Sequence, residues 1–181
     1  MNFLKYILFS LTISLFSGLY AQNTIYVSTS GSNSSSGSSQ GQALATLSAA
    51  ITQANNGDTI KFLAGEYNIN TSTSLDQGLL DSIVIMGAGK DQTIFNGDSV
   101  NWLNIVNNDN GVSNFYRFRG FTVKNMMKFN VQSGNSSSTK GAGIHTDYAN
   151  NILFENIHFE NCSSATNSSG NGGAVYFYGG Y

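Results

Sequence analysis

The chain has 181 residues, of which 10% are charged, and ten acidic against eight basic side chains leave a formal net charge of -2. A balance so near neutral gives no long-range pull towards nucleic acid or an anionic membrane surface, so neither is expected as a partner. Aromatic residues at 12% and recurrent short clusters of Ile, Val and Leu exclude a disordered chain, and a single cysteine, Cys162, excludes an intrachain disulfide.

In chain order, residues 1–21 read as a secretory signal peptide: Lys5, an apolar run from Tyr6 to Phe16, then the small residues Ser17, Gly18 and Ala21. The run is shorter than the roughly 20 residues that a transmembrane helix needs, and no later segment approaches that length. The mature chain is therefore expected to begin near Gln22, to carry no transmembrane segment, and to be secreted or held at the cell surface. Residues 22–57 form the next unit. Thr24 to Ser28 (TIYVS) alternates like a strand, and Ser30 to Gln42 (SGSNSSSGSSQGQ) is a Ser/Gly loop without an apolar anchor. Ala43 to Asn55 then places Leu44, Leu47, Ala50, Ile51 and Ala54 at three-and-four spacing, which predicts a helix capped by Thr46 or Ser48 and ended by Asn56-Gly57.

Residues 58–181 hold only short strand-like clusters separated by Gly, Asn and Asp, and the clusters resemble one another. Asp58 to Ala64 (DTIKFLA) matches Asp81 to Gly87 (DSIVIMG) at an offset of 23, laying Ile60 over Ile83 and Phe62 over Ile85. Phe118 to Asn125 (FRGFTVKN) matches Phe154 to Asn161 (FENIHFEN) at 36, and Gly141 to His145 (GAGIH) matches Gly172 to Tyr176 (GGAVY) at 31. The difference between the last two offsets falls in polar loops, as it does when a solenoid accepts insertions between stacked strands. Stacking predicts Phe121 over Ile157 and Val123 over Phe159 inside, ion pairs Arg119–Glu155 and Lys124–Glu160 outside, and Asn125 over Asn161 as the start of an amide ladder. The expected fold class is thus all-β, a solenoid of stacked parallel strands with one N-terminal α-helix.

The stretches IYVSTSGSNSSSG, ALATLSAAITQANNGDTIKFLAGEY and IVIMGAGKDQTIFNGD resemble the N-terminal part of secreted right-handed parallel β-helix proteins of the pectate-lyase-like superfamily. That resemblance implies a right-handed parallel β-helix, with a first strand, a loop and one N-terminal capping α-helix closing one end of the solenoid. It covers about Thr24 to Gly97, with the remainder similar by coil pattern. One departure is the lack of any proline, with Asn56 standing where relatives often carry Pro. The GGAV at Gly172 to Val175 is similar to half of a repeat signature of polymorphic outer-membrane adhesins, whose Phe-x-x-Asn half is missing because Cys162 lies three positions after Phe159.

Polysaccharide lyases of that superfamily use calcium to neutralise a uronate and an Arg or Lys as the base. Calcium takes 6 to 8 oxygen ligands, whereas Asp76, Asp81, Asp91, Asp98, Asp109 and Asp147 are spread over different turns, where capping is their ordinary work. No catalytic residue, metal site or cofactor is assigned; calcium enters only if the chain belongs to a lyase. The best local acid/base pair is His145 with Asp147, which share one face of a strand, the plainer reading being a solvated histidine beside a turn-capping aspartate. His158 reads as an exposed surface histidine. Tyr148 and Tyr176, with Trp102, Tyr116, Tyr178 and Tyr181, present either a stacking surface for sugar rings or an internal aromatic stack. The substrate-binding candidates are therefore Lys124, His145, Asp147, Tyr148 and Tyr176.

Two functions follow. The first is a secreted or cell-surface β-helix, non-catalytic within this chain, that binds extracellular polysaccharide or a cell-surface glycan in recognition or adhesion. The second is the N-terminal part of a polysaccharide lyase or glycoside-degrading enzyme whose site lies beyond residue 181. The closing GGAVYFYGGY has no capping segment after it, so a truncated solenoid, self-associating through its open C-terminal coil, is expected.

Overall fold

Side chains two apart share a face of an extended strand, so clusters of period two, broken by Gly and Asn, fold as short strands with one face to bury. The computed structural model describes residues 22–76, 80, 82–98, 100–106, 115–129, 142–147, 151–165 and 173–178. The expected signal peptide, Asp81, Asp109, Tyr148 and Tyr181 lie outside these residues. The first unit runs β1 (Thr24–Val27), a 3-10 turn at Gln40–Gln42, and α1 (Leu47–Gln53). Then follow β2 (Thr59–Phe62), β3 (Gly65–Ile69), β4 (Thr73–Asp76), β5 (Ser82–Met86), β6 (Thr93–Gly97), β7 (Leu103–Val106) and β8 (Phe115–Lys124). The last are β9 (Met127–Phe129), β10 (Ile144–Asp147), β11 (Asn151–Glu160), β12 (Ser163–Ala165) and β13 (Val175–Tyr178).

Every named strand pair is parallel. A seven-stranded sheet runs β1-β2-β5-β8-β6-β3 with β11 also on β8, a four-stranded sheet runs β13-β10-β7-β4, and β12 pairs with β9. The larger sheet curls because β8 serves two neighbours: Phe115 to Arg119 pair with β5, and Thr122 to Lys124 with β6. The bend falls at Gly120, whose φ of 71° is open to glycine without steric cost, and Asn156 at φ 51° bends β11 at the same level. The result is an all-β, mostly parallel, curled architecture, compatible with a β-helix.

Three chain-order expectations change. The helix is shorter than Ala43 to Asn55, because Ala43 is extended and Leu44 bridges to Val27 before Thr46 caps α1 by accepting the Ala49 N–H at 3.2 Å. Ile60 pairs with Ile85, not Ile83; a slip of two residues keeps every side chain on its own face, so alternation alone does not discriminate the registers. Phe121 over Ile157, Val123 over Phe159, and Ile144 and His145 over Val175 and Tyr176 fall as the repeats require.

The third change concerns the outer ion pairs. Arg119 does face Glu155, and Lys124 does face Glu160, in register. The guanidinium that holds Glu155 is nevertheless Arg117, through Nε and, at 3.0 Å, through Nη2. Lys124 instead reaches Glu66 at 3.2 Å, beside the Asn96 amide that donates to the same oxygen. Long flexible side chains reach diagonal as well as direct neighbours on a sheet, so register alone does not fix a pairing.

The core is aromatic. Phe95 stacks on Trp102 at 4.4 Å and meets Phe62 and Phe121 edge-on at 4.8 and 5.1 Å. Each such buried ring contributes roughly 1.5 to 3 kcal/mol by area. Gly143 sits where a Cβ would lie 2.5 Å from the Ala174 carbonyl oxygen, which explains the glycine in GAGIH by close backbone approach. Burial then fades along the stack: Phe118 is fully buried, Phe154 above it is half-buried, and Phe177 is 55% exposed.

Candidate functional site

The outward residues of a parallel stack form straight rows, because register partners lie about 4.8 Å apart in the hydrogen-bonding direction. On the face made by β1, β2, β5 and the first halves of β8 and β11, one row reads Tyr26, Lys61, Met86, Arg119, Glu155. The row beside it reads Thr24, Thr59, Val84, Arg117, Leu153. Phe115 and Leu153 on this face are 47% and 39% exposed. Lys61 Nζ sits 6.0 Å from the Tyr26 ring centroid, at the outer limit of a cation–π contact. Arg119 makes no side-chain hydrogen bond among the described residues, since Glu155 is taken by Arg117.

The electrostatics follow from that pairing. The Arg117 hydrogen bonds hold the Glu155 carboxyl below its ordinary range, with a smaller pull from Arg119, and Glu155 in turn pushes the Arg117 guanidinium further up. Arg117 is thus a permanent cation, suited to holding an anion and unsuited to abstracting a proton. Lys61 and Arg119, with Tyr26 and Phe115 and the ion pair Arg117–Glu155 beside them, share an outward face across five strands that can engage an extended ligand alternating carboxylates with apolar ring faces.

Of the residues expected from sequence to bind substrate, Lys124 lies on a different sheet from His145, Asp147 and Tyr176, and Tyr148 is outside the described residues. Lys124 belongs to the neighbouring face, where its hydrogen bond and that of Asn96 hold the Glu66 carboxyl low. His145 lies on the four-stranded sheet in a row with Ser74, Asn104 and Tyr176, and its ring is 5.6 Å from that of Tyr176 at 52°. Asp147 follows two positions on in β10. His158 is exposed. Trp102 and Tyr116 are fully buried, the first against Phe95 and the second donating its hydroxyl to the Leu80 carbonyl at 2.5 Å, so neither serves as an outer sugar platform.

Asp58 is 2% exposed and accepts the Asn23 and Asn55 N–H groups at 2.9 Å each, a capping role. Lys90 pairs with Asp91. Among the described residues no three of His, Cys, Asp and Glu gather as metal ligands, and no helix is long and apolar enough to cross a membrane, which says nothing of β-barrels. Sequence reasoning passed over Lys61 and Tyr26, whose only signal was their place in strands of matching frame; their company depends on the true register of β2 with β5.

Comparison of the chain with protein-family models, curated proteins and solved structures finds no match.

Proposed function

We propose that this is a secreted or cell-surface protein of parallel β-helix type, similar to the pectate-lyase-like group, that binds an acidic extracellular polysaccharide without transforming it. The observation that carries the reading is the outward row Tyr26, Lys61, Met86, Arg119, crossed by Arg117 in the next row. Lys61 and Arg119 stand two strands apart, about 9.6 Å by strand spacing, so one chain of sugar acids lying across the strands meets a cation near every second rung. Sugar rings have apolar faces that pack on Tyr26, Met86 and Phe115, while carboxylates pair with the guanidinium and ammonium groups. Exposed charges of this kind give binding that weakens with salt.

Affinity electrophoresis through gels containing polygalacturonate or alginate, against neutral dextran, tests it. Retardation is expected in the acidic gels alone, falling about tenfold for Lys61→Gln with Arg119→Gln, because two lost contacts of about 0.7 kcal/mol each make one factor of ten. Equal mobility of the parent and double variant in every gel refutes the reading. Release of unsaturated product during the same incubation, measured with and without calcium, would refute the non-catalytic part.

A further inference from the structure

A concave feature lies beside α1, away from the basic face. It is a cleft of about 520 Å³ between α1 and the segment from Glu66 to Thr73. That size is within the roughly 300 to 1,000 Å³ of small-ligand clefts. Beneath the cleft lies the buried edge-on pair Phe62 and Tyr67, with Phe95 beside them, and the half-buried Ile69 lines its side. Its walls carry short hydroxyl and amide side chains, among them Thr29, Ser48, Asn68 and Thr71.

The backbone adds a second set of groups. β3 and β4 are each the last strand of their sheet among the described residues. The Gly65 N–H donates to Gln92, the Ile69 carbonyl accepts from Asp98, and the Thr73 N–H donates to Trp102, all towards the following turn. Strand alternation therefore aims the N–H and C=O groups of Glu66 and Asn68 the other way, along the cleft that they line, and the planar peptide does the same for the Asn70 N–H and the Ser72 carbonyl.

We propose that this cleft binds a neutral saccharide of two or three units. Paired backbone donors and acceptors, with hydroxyls and amides around them, match a ligand whose every hydroxyl both gives and takes a hydrogen bond. Charge selects against an anion: the charged residue lining the cleft is Glu66, already held by Lys124 and Asn96. Shape selects against an added peptide strand, because the edge turns a corner between Ile69 and Thr73 and Thr29 closes over Gly65, 2.8 Å from where a Cβ would stand. The site is separate from the basic face and does not depend on it.

Amide hydrogen exchange on the ¹⁵N-labelled chain tests the proposal, using maltotriose, cellotriose and mannotriose at millimolar concentration. At half occupancy at least one of them slows exchange roughly twofold at Glu66, Asn68 and Asn70, leaving the already bonded Gly65 and Ile69 unchanged. Filling the cleft with Asn70→Trp abolishes the effect, Asn68→Ala weakens it as an independent variant, and neither Arg119→Gln nor added salt alters it. The last condition separates this site from the acidic-polysaccharide face, since either can fail alone. Absence of protection with all three sugars overturns the proposal, as does protection by an acetylated five-residue Thr/Val peptide with the sugars inert.

Discussion

Phe121 is the side chain on which the packing scheme can be tested most severely. It is fully buried at the level where β8 bends, 5.1 Å edge-on from Phe95 and 5.1 Å from Trp102 at 75°. Phe121→Ala removes a ring from a site walled by rigid aromatics that collapse poorly into a void, so the cost belongs in the range of about 3 to 5 kcal/mol seen for buried Phe truncation. With a urea dependence of about 2 kcal/mol per molar, a loss of about 4 kcal/mol lowers the unfolding midpoint by about 2 M at unchanged slope. Phe177→Ala, at a ring 55% exposed on the inner row of β13, is the internal control and should cost about 1 kcal/mol or less. Urea melts followed by tryptophan fluorescence read both, because Trp102 is the single tryptophan and contacts Phe121. A shift under about 0.5 M for Phe121→Ala, or equal shifts for the two variants, would refute the register that stacks β8 inside the turn.

Asn125 has φ 56°, donates to Asn96 at 2.8 Å and accepts from Asn161 at 3.3 Å; Asn125→Ala should cost about 1 to 2 kcal/mol in thermal melts, and Asn125→Gly less, because glycine retains the backbone conformation. Equal losses would show that the backbone conformation contributes nothing. Tyr67 is buried, which pushes its phenol up to about 12 from 10, so the stability it contributes is complete below pH 10 and lost as pH climbs through 12. Tyr67→Phe should lose about 1 kcal/mol at pH 7, with the hydroxyl bonds to Val27 and Leu63, yet show a flatter decline between pH 10 and 12 in denaturant melts. A parent-like decline in the variant would contradict that assignment. β13 has β10 as its one strand neighbour among the described residues, and concentration-dependent light scattering is expected of the chain, reduced by Phe177→Lys. No change on that substitution would move the contact elsewhere.

Much of the architecture was written in local pattern. Period two, the Asn and Gly punctuation and two repeat frames placed Phe121 over Ile157, His145 over Tyr176 and Asn125 over Asn161, because identical rungs must fit one another side by side. The amide ladder went further than the repeat foretold, taking in Asn96 of β6. Thr46 as a cap was likewise legible, since a hydroxyl that accepts from the helix's own third residue is a local matter.

What sequence did not decide was every choice between alternatives of equal local merit. Ile60 against Ile83 or Ile85 preserves the same inward face, and only the whole sheet selects the second. Glu155 lies opposite Arg119 yet binds Arg117, and Lys124 bypasses Glu160 for Glu66, because a long side chain samples all neighbours within reach on a curved surface. Trp102 and Tyr116 read equally as sugar platforms or as core, and the curl of the sheet buried both. The row of Tyr26, Lys61 and Arg119 and the cleft beneath α1 each gather residues from separate turns, so their existence depends on register and curl. Local alternation determined which side chains face out; the stacking of the strands determined which of them meet.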